Sequence, residues 1–386
     1  MIPLSVPNIG ANEWLYVKEC LDTEWVSTAG KYVDLFEQKV AEYTGSKYSV
    51  ACINGTSALQ VSLRIAGVKP GHEVIVPTLT FIAPVNAVAY NGASPIFMDV
   101  DKYYNIDISK TIDFIRNETN FKNNNTYNKK TNKKVSAIVP VHMWGNAVPL
   151  DELIDLCRER NIMVVEDASE SLGTTYIEGK YEQRKTGAIG ELGCVSFNGN
   201  KILTTGGGGM ILTNDQKFAE RALYLTTQAK DDPLRYIHNE IGYNFRLTNI
   251  QAALGVAQLE QLDNFLRRKK EIARTYKQFL NNVNGIMIAD TPDYAVNNNW
   301  MILLQINSEK YGENREELMA RLNSIGIQTR PAWAPCHLQN PYKKCQSYNI
   351  DLADALVNKS LCLPSGSNLK DTQLMSVIDA LLDKSR

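Results

Sequence analysis

The chain has few histidines, no C-x-x-C pair, almost no net charge and no long apolar run, and each lack excludes a class. The seven cysteines among 386 residues are scattered and odd in number. They read as reduced thiols of a cytoplasmic protein, not as a disulfide framework. The four histidines (His72, His142, His238, His337) lack metal-ligand spacing, so no metal site is expected. A net charge of −1 argues against nucleic acid or an anionic membrane as the main partner. No apolar stretch is long enough to cross a bilayer. The opening MIPLSVPNIGANEW has no basic region followed by an apolar core, so no signal peptide is expected. The Walker spacing is absent too. In SFNGNKILTTGGGGM, residues 196–210, the lysine precedes the four glycines.

What is present suits a folded chain with a large core, with 44% hydrophobic and 22% charged residues. Trp14, Val17 and Leu21 recur at helical spacing, as do Tyr32, Leu35, Phe36 and Val40. The stretch 24–31 between them reads as a loop. Short apolar runs at 48–54, 73–77, 94–101, 135–142 and 162–169 then alternate with helical stretches, including one starting at Gly55, one over 82–90 and one over 150–160. A further strand follows Gly209. Such alternation predicts a mainly parallel sheet covered on both faces, with ligands at the carboxyl ends of the strands. The polar, Asn/Lys-rich residues 110–134 break the rhythm and read as an exposed, partly disordered insertion. A long helix is expected from Thr248 to about 280, leading into a second domain. The expected division is 1–264, including the N-terminal helical segment, and 265–386.

One cofactor would account for several features at once. The buried strand 162–169 ends in Glu166-Asp167, and a carboxylate there needs a cationic partner. Pyridoxal phosphate presents a pyridinium nitrogen. It also needs an amine, which Lys201 can supply. Its phosphate needs free backbone N–H groups, and Gly55-Thr56-Ser57 opens a helix after a strand. Its ring needs a flat neighbour, and Phe81 follows a strand end. Each feature alone has an ordinary alternative, such as a cap, a turn or a core aromatic.

Taken together, the motifs NGTSAL (54–59), VPTLTFIA (76–83), VHMWGN (141–146), EDASESLG (166–173), GCVSFNGNKILTTGGGG (193–209) and GYNFRLTNIQAALG (242–255) resemble the DegT–StrS sugar aminotransferases over nearly the whole chain. That resemblance implies an α/β fold of the fold-type-I pyridoxal phosphate enzymes (aspartate aminotransferase-like), with a large, mainly parallel domain and a smaller α+β C-terminal domain. It implies that Lys201 is the Schiff-base lysine, that Asp167 binds the pyridine nitrogen and that Phe81 stacks on the ring. Thr56, Ser57 and Ser196 would hold the phosphate, and Asn244 would reach the cofactor of a second subunit in a homodimer with shared sites. Glu170 stands where many relatives carry His or Gln, close to the ring hydroxyl. Trp25, Asn198, Arg246, Arg330 and His337 are candidate substrate contacts, although Trp25 and His337 read as well as packing residues. The implied donor is L-glutamate, with pyridoxamine phosphate as the intermediate cofactor form, and the acceptor is a nucleotide-linked 2-acetamido-4-keto-6-deoxy sugar (UDP or GDP). Residues 227–244 and 329–342 look most like transaminases of legionaminic-acid or bacillosamine synthesis. Two rivals are a pyridoxamine-dependent sugar dehydratase, against which the intact Lys201 argues, and a non-catalytic nucleotide-sugar-binding protein.

Overall fold

Five-residue apolar runs such as EVIVP bury every residue, which a strand can do only when both faces of its sheet are covered. The computed structural model describes residues 1–232 and 234–383; Pro233 and the last three residues of the expected second domain lie outside them. The first half contains α1 (Glu13–Asp22), α2 (Lys31–Thr44), β1 (Tyr48–Cys52), α3 (Gly55–Ile65), β2 (Glu73–Pro77), α4 (Ile82–Tyr90), β3 (Ser94–Met98), α5 (Ile108–Asn117), β4 (Val135–Ile138), α6 (Asp151–Glu159), β5 (Met163–Asp167) and β6 (Leu192–Ser196). It is followed by β7 (Gly209–Thr213), α7 (Gln216–Thr226), α8 (Asn249–Glu260), α9 (Leu262–Leu280), β8 (Ile286–Ile288), β9 (Ile302–Ile306), β10 (Arg330–Pro331), β11 (Gln346–Tyr348) and β12 (Ser360–Leu363).

Eight strands form the large sheet in the order β1-β7-β6-β5-β4-β2-β3-β11. From β6 to β11 the pairs are parallel, and β7 runs antiparallel to both β6 and β1. The main core lies between this sheet and its helices. A second sheet, β8-β9-β12-β10, packs with α9 and the helix Asp371–Leu382 over its own cluster of apolar side chains. The expected α/β class is what is found. Among the described residues no helix is long and apolar enough to cross a membrane.

Three sequence expectations need correction. The long helix from Thr248 is two helices that meet at Gln261, which closes α8 and opens α9. The division at 264/265 therefore falls inside α9, and the chain crosses it in both directions. Ile2 bridges to Ile327, the carbonyl of Leu4 accepts from the Ser365 N–H, and β11 from the second half joins the large sheet. The Asn/Lys-rich insertion is ordered. It contains α5 and a hairpin of Thr119–Lys122 with Asn125–Asn128. Asn123 and Asn124 both adopt positive φ, 51° and 58°, the backbone a two-residue hairpin turn demands and asparagine tolerates. The hairpin is tied down by Asn128 Nδ2 donating to Glu73 Oε2 at 2.8 Å.

Candidate active site

The carboxyl end of β5 delivers two carboxylates to opposite sides of one strand, and Glu170 follows in the next turn. Glu166 is fully buried and well supplied with donors. Its oxygens accept from the N–H groups of Gly187 (2.9 Å), Ile189 (2.7 Å) and Gly190 (2.6 Å). His142 Nε2 lies 2.9 Å from Oε2. Because His142 Nδ1 accepts from the Val148 N–H at 3.0 Å, the proton of the neutral ring sits on Nε2 and is donated to Glu166. Burial alone would raise the Glu166 carboxyl. The bond from His142 and the backbone donors outweigh it and hold the group below its usual range. Glu166 is therefore a structural anchor.

Asp167, only 4% exposed, turns the other way. Its Oδ1 accepts from the Ser169 N–H at 3.0 Å. Ser169 and Ser196 close on the start of α3, where a Cβ on Gly55 would meet Ser196 Cβ at 2.9 Å and Ser169 Oγ at 3.3 Å. Nearby, a Cβ on Gly209 would lie 2.7 Å from the Gly55 nitrogen, so the last of the four glycines lets β7 approach the helix start. Asn54 caps α3 by accepting from the Ser57 N–H at 2.8 Å. A helix N-terminus flanked by serine hydroxyls suits a phosphate.

Lys201 sits on the loop between β6 and β7. Its Nζ is 3.6 Å from Glu170 Oε1 and 4.1 Å from the centre of the Trp300 ring. Glu170 is buried, and its Oε2 accepts from the Trp144 N–H at 2.8 Å. Burial pushes the Glu170 carboxyl up to about 7, against the pull of the Lys201 ammonium and the Trp144 N–H. Trp144 presents that N–H from a left-handed backbone, φ 51°, a conformation rare for a bulky residue and found at sites that need it.

Aromatic contacts continue outward. Trp333 lies 5.5 Å from both Trp144 and Phe81, ring centre to ring centre. Phe81 itself is half exposed at the start of α4. A cleft of about 540 Å³ opens beside Asn200, bounded by Trp144, Trp300, Trp333 and the exposed Arg330. The strand-end loop carrying Phe81 is fastened by His337, whose Nδ1 lies 2.5 Å from Thr78 Oγ1, and by the Cys336 N–H donating to the Thr78 carbonyl at 2.7 Å. Burial lowers His337 below the usual histidine range. It braces the site in this structure.

The structure thus brings Lys201, Glu170, Asp167, Ser196, Thr56, Ser57 and Phe81 to one end of the large sheet, with Asn198 exposed on the lysine loop. Arg246 does not present a free cation. Its guanidinium is bound by both oxygens of Glu37 and is only 11% exposed in its side chain. Trp25 lies elsewhere, on a separate cleft with Tyr32 and Asn249. Asn244 is exposed, next to Phe245, whose carbonyl accepts from the Ile53 N–H at 2.7 Å. Sequence reasoning passed over Trp300 and Asn298. The run NNNW at 297–300 was the available signal, an unusual polar cluster ending in a large aromatic just before an apolar strand. Among the described residues no group of three His, Cys, Asp or Glu is placed to hold a metal ion.

Residues 7–382 match the DegT/DnrJ/EryC1/StrS aminotransferase family. The chain is 37% identical over 385 residues to a GDP-perosamine synthase of Caulobacter vibrioides, covering 98% of this chain and 97% of that one. It is 38% identical over 381 residues to a GDP-perosamine synthase of Escherichia coli O157:H7, covering 98% and 97%. A solved DegT DnrJ EryC1 StrS aminotransferase from Brucella abortus superposes with a TM-score of 0.86 at 28% identity, covering 96% of this chain and 94% of that one.

Proposed function

Because the chain belongs to the DegT/DnrJ/EryC1/StrS aminotransferase family, and so is a pyridoxal phosphate-dependent nucleotide-sugar aminotransferase, we propose that it aminates the 4-keto carbon of a GDP-linked 6-deoxy sugar. The names of its relatives favour GDP over the 2-acetamido sugars of legionaminic-acid or bacillosamine synthesis suggested by residues 227–244 and 329–342. The observation that carries the reading is the Lys201–Glu170 pair, 3.6 Å apart beside the serine-flanked start of α3.

The residues fit the cofactor. The α3 N-terminus with Thr56, Ser57 and Ser196 would hold its phosphate, where even a glycine-to-alanine change would collide with Ser196. Asp167 would face its ring nitrogen, and Phe81 would cover its ring. Bound there, pyridoxal phosphate supplies a carbon that carries an amino group and a ring that stabilises negative charge beside it. Lys201 would hold the cofactor through Nζ. Once released, that Nζ takes and returns a proton as base and acid. Glu170 receives or balances the charge this leaves. Trp144, Trp300 and Trp333 wall off water on one side, and Arg330 at the cleft's rim suits a diphosphate. L-glutamate is the donor in this reading. A second copy of the chain would cover α1, which exposes Trp14 and Leu15, and would bring its Asn244 to the shared site.

Borohydride reduction followed by peptide mapping should leave a phosphopyridoxyl adduct on Lys201, and an unlabelled Lys201 would remove it from its role. Turnover should be faster with the GDP-linked than with the UDP-linked keto sugar; the reverse order returns the substrate to the 2-acetamido class. Mixing inactive Lys201→Ala and Asn244→Ala chains should restore part of the activity, and no recovery after confirmed subunit exchange would rule out the shared site.

A further inference from the structure

Lys269 lies on α9, in the second half of the chain, and is only 2% exposed. Among the described residues its ammonium meets no carboxylate there. Its hydrogen bonds run to two backbone carbonyls, those of Trp300 at 2.9 Å and Ser365 at 2.6 Å. A buried lysine is costly when its partners are neutral, and burial pulls this amine down to about 7. A leucine or methionine would fill the same space without that cost, so packing does not explain the residue.

What Lys269 grips does explain it. Trp300 is 1% exposed and fixed on three sides. Its N–H donates to Asn298 Oδ1 at 2.9 Å, and Asn298 in turn donates to the carbonyls of Glu170 (2.9 Å) and Leu172 (3.0 Å). Its carbonyl is held by Lys269. Its indole Nε1 donates to the Asn200 carbonyl at 2.7 Å, which ties down the loop bearing Lys201. The face of the same ring lies 4.1 Å from Lys201 Nζ, a geometry that attracts a desolvated ammonium. The side chain of Trp300 thus touches the lysine loop and the lysine amine, and its backbone N–H reaches, through Asn298, the backbone of Glu170.

We propose that Trp300 is a positioning residue for Lys201, and that Lys269 is the clamp fixing Trp300 to α9 and to the segment after β12. The clamp matters for the reaction because Lys201, whose role is the one proposed above, must be held where its free Nζ can take and return a proton. A ring fixed at both ends gives the freed amine a single resting place beside Glu170.

The test uses the full chain loaded with pyridoxamine phosphate, in which Lys201 is free. Amide hydrogen exchange is read on peptides covering residues 197–206 and, as an internal control, β4 and β5. Trp300→Phe keeps a ring face but loses the Nε1 donor, Trp300→Leu loses both, and Lys269→Met loses the clamp. Exchange in 197–206 should rise about tenfold in Lys269→Met and Trp300→Phe while β4 and β5 keep their protection. Steady-state kinetics should show kcat reduced about 10- to 100-fold with KM for both substrates within about twofold. Activity should fall in the order Trp, Phe, Leu at position 300, and Lys269→Met should add little to Trp300→Leu. Unchanged exchange in 197–206 in folded variants overturns the proposal, and so do losses that simply add in the double variant. Should Lys269→Met fail to fold, the two Trp300 variants decide on their own. Failure of the borohydride mapping would instead remove Lys201 from the chemistry while leaving the exchange result intact.

Discussion

Glu166 and Glu170 are both buried and stand four residues apart, yet their surroundings drive them in opposite directions. Glu166 takes four donors, three of them backbone N–H groups held in fixed directions. Glu170 has one N–H, from Trp144, and one ammonium at 3.6 Å. The first carboxylate is satisfied whatever else the site does. The second is satisfied only while Lys201 is free and charged beside it. Burial is shared between them, and the difference lies in the donors, which is what separates an anchor from a group able to exchange a proton.

The largest expected effect sharpens that contrast from the lysine side. Lys201→Ala should lower turnover by at least about 10³-fold, because the proposed attachment point and mobile base are one residue and are lost together. The folded chain should persist, since Lys201 meets the core only at its amine end, over the Trp300 ring, and lies on a loop rather than in a strand or helix. Measured turnover within tenfold of the parent would detach Lys201, and with it Glu170, from the chemistry.

Next in size is a stability comparison. Glu166→Leu leaves His142 and three N–H groups without an acceptor and should cost about 3–5 kcal/mol. Glu170→Gln keeps an acceptor for the Trp144 N–H and, near pH 5, should change stability by less than about 1 kcal/mol. Urea unfolding of both variants gives the comparison directly. Equal losses would mean that Glu170 is as much an anchor as Glu166.

The sequence made the lysine, the strand-end carboxylates and the glycine-assisted helix start readable because each depends on local chain order. The strand ending in Glu166-Asp167 and the helix opening at Gly55 each show in their own local sequence, although β7 and β6 separate β1 from β5 in the sheet. The roles of Glu166 and Glu170 were not separable in the same way. What distinguishes them arrives from 24 residues upstream in His142 and from the turn at 187–190, and no periodicity announces either. Arg246 misled for a similar reason. Its partner Glu37 is 209 residues away in sequence. The hairpin at 119–128 was misread because asparagine-rich composition signals disorder on average, whereas two successive asparagines in left-handed conformations make a tight turn. Trp300 went unnoticed because its importance is a matter of what it touches.

The smallest effect is a pH dependence with opposite signs at the two glutamates. In the unfolded chain Glu170 titrates near its ordinary 4.5, and in the folded chain near 7. Between these values the folded protein holds the more protons, so raising pH through that window lowers stability. Glu166 is held below its ordinary value. Its contribution is present above the ordinary carboxylate range and is lost as pH falls beneath it. On the cofactor-free full chain, the unfolding free energy of the parent relative to Glu170→Gln should therefore decline from about pH 5 to pH 7.5, by on the order of 1–3 kcal/mol. A flat difference would mean that the Lys201 ammonium already offsets the burial of Glu170. The pair would then be a settled ion pair like Glu166 and its donors, and the proton that Lys201 exchanges would have to be balanced by Asp167 or by the cofactor alone.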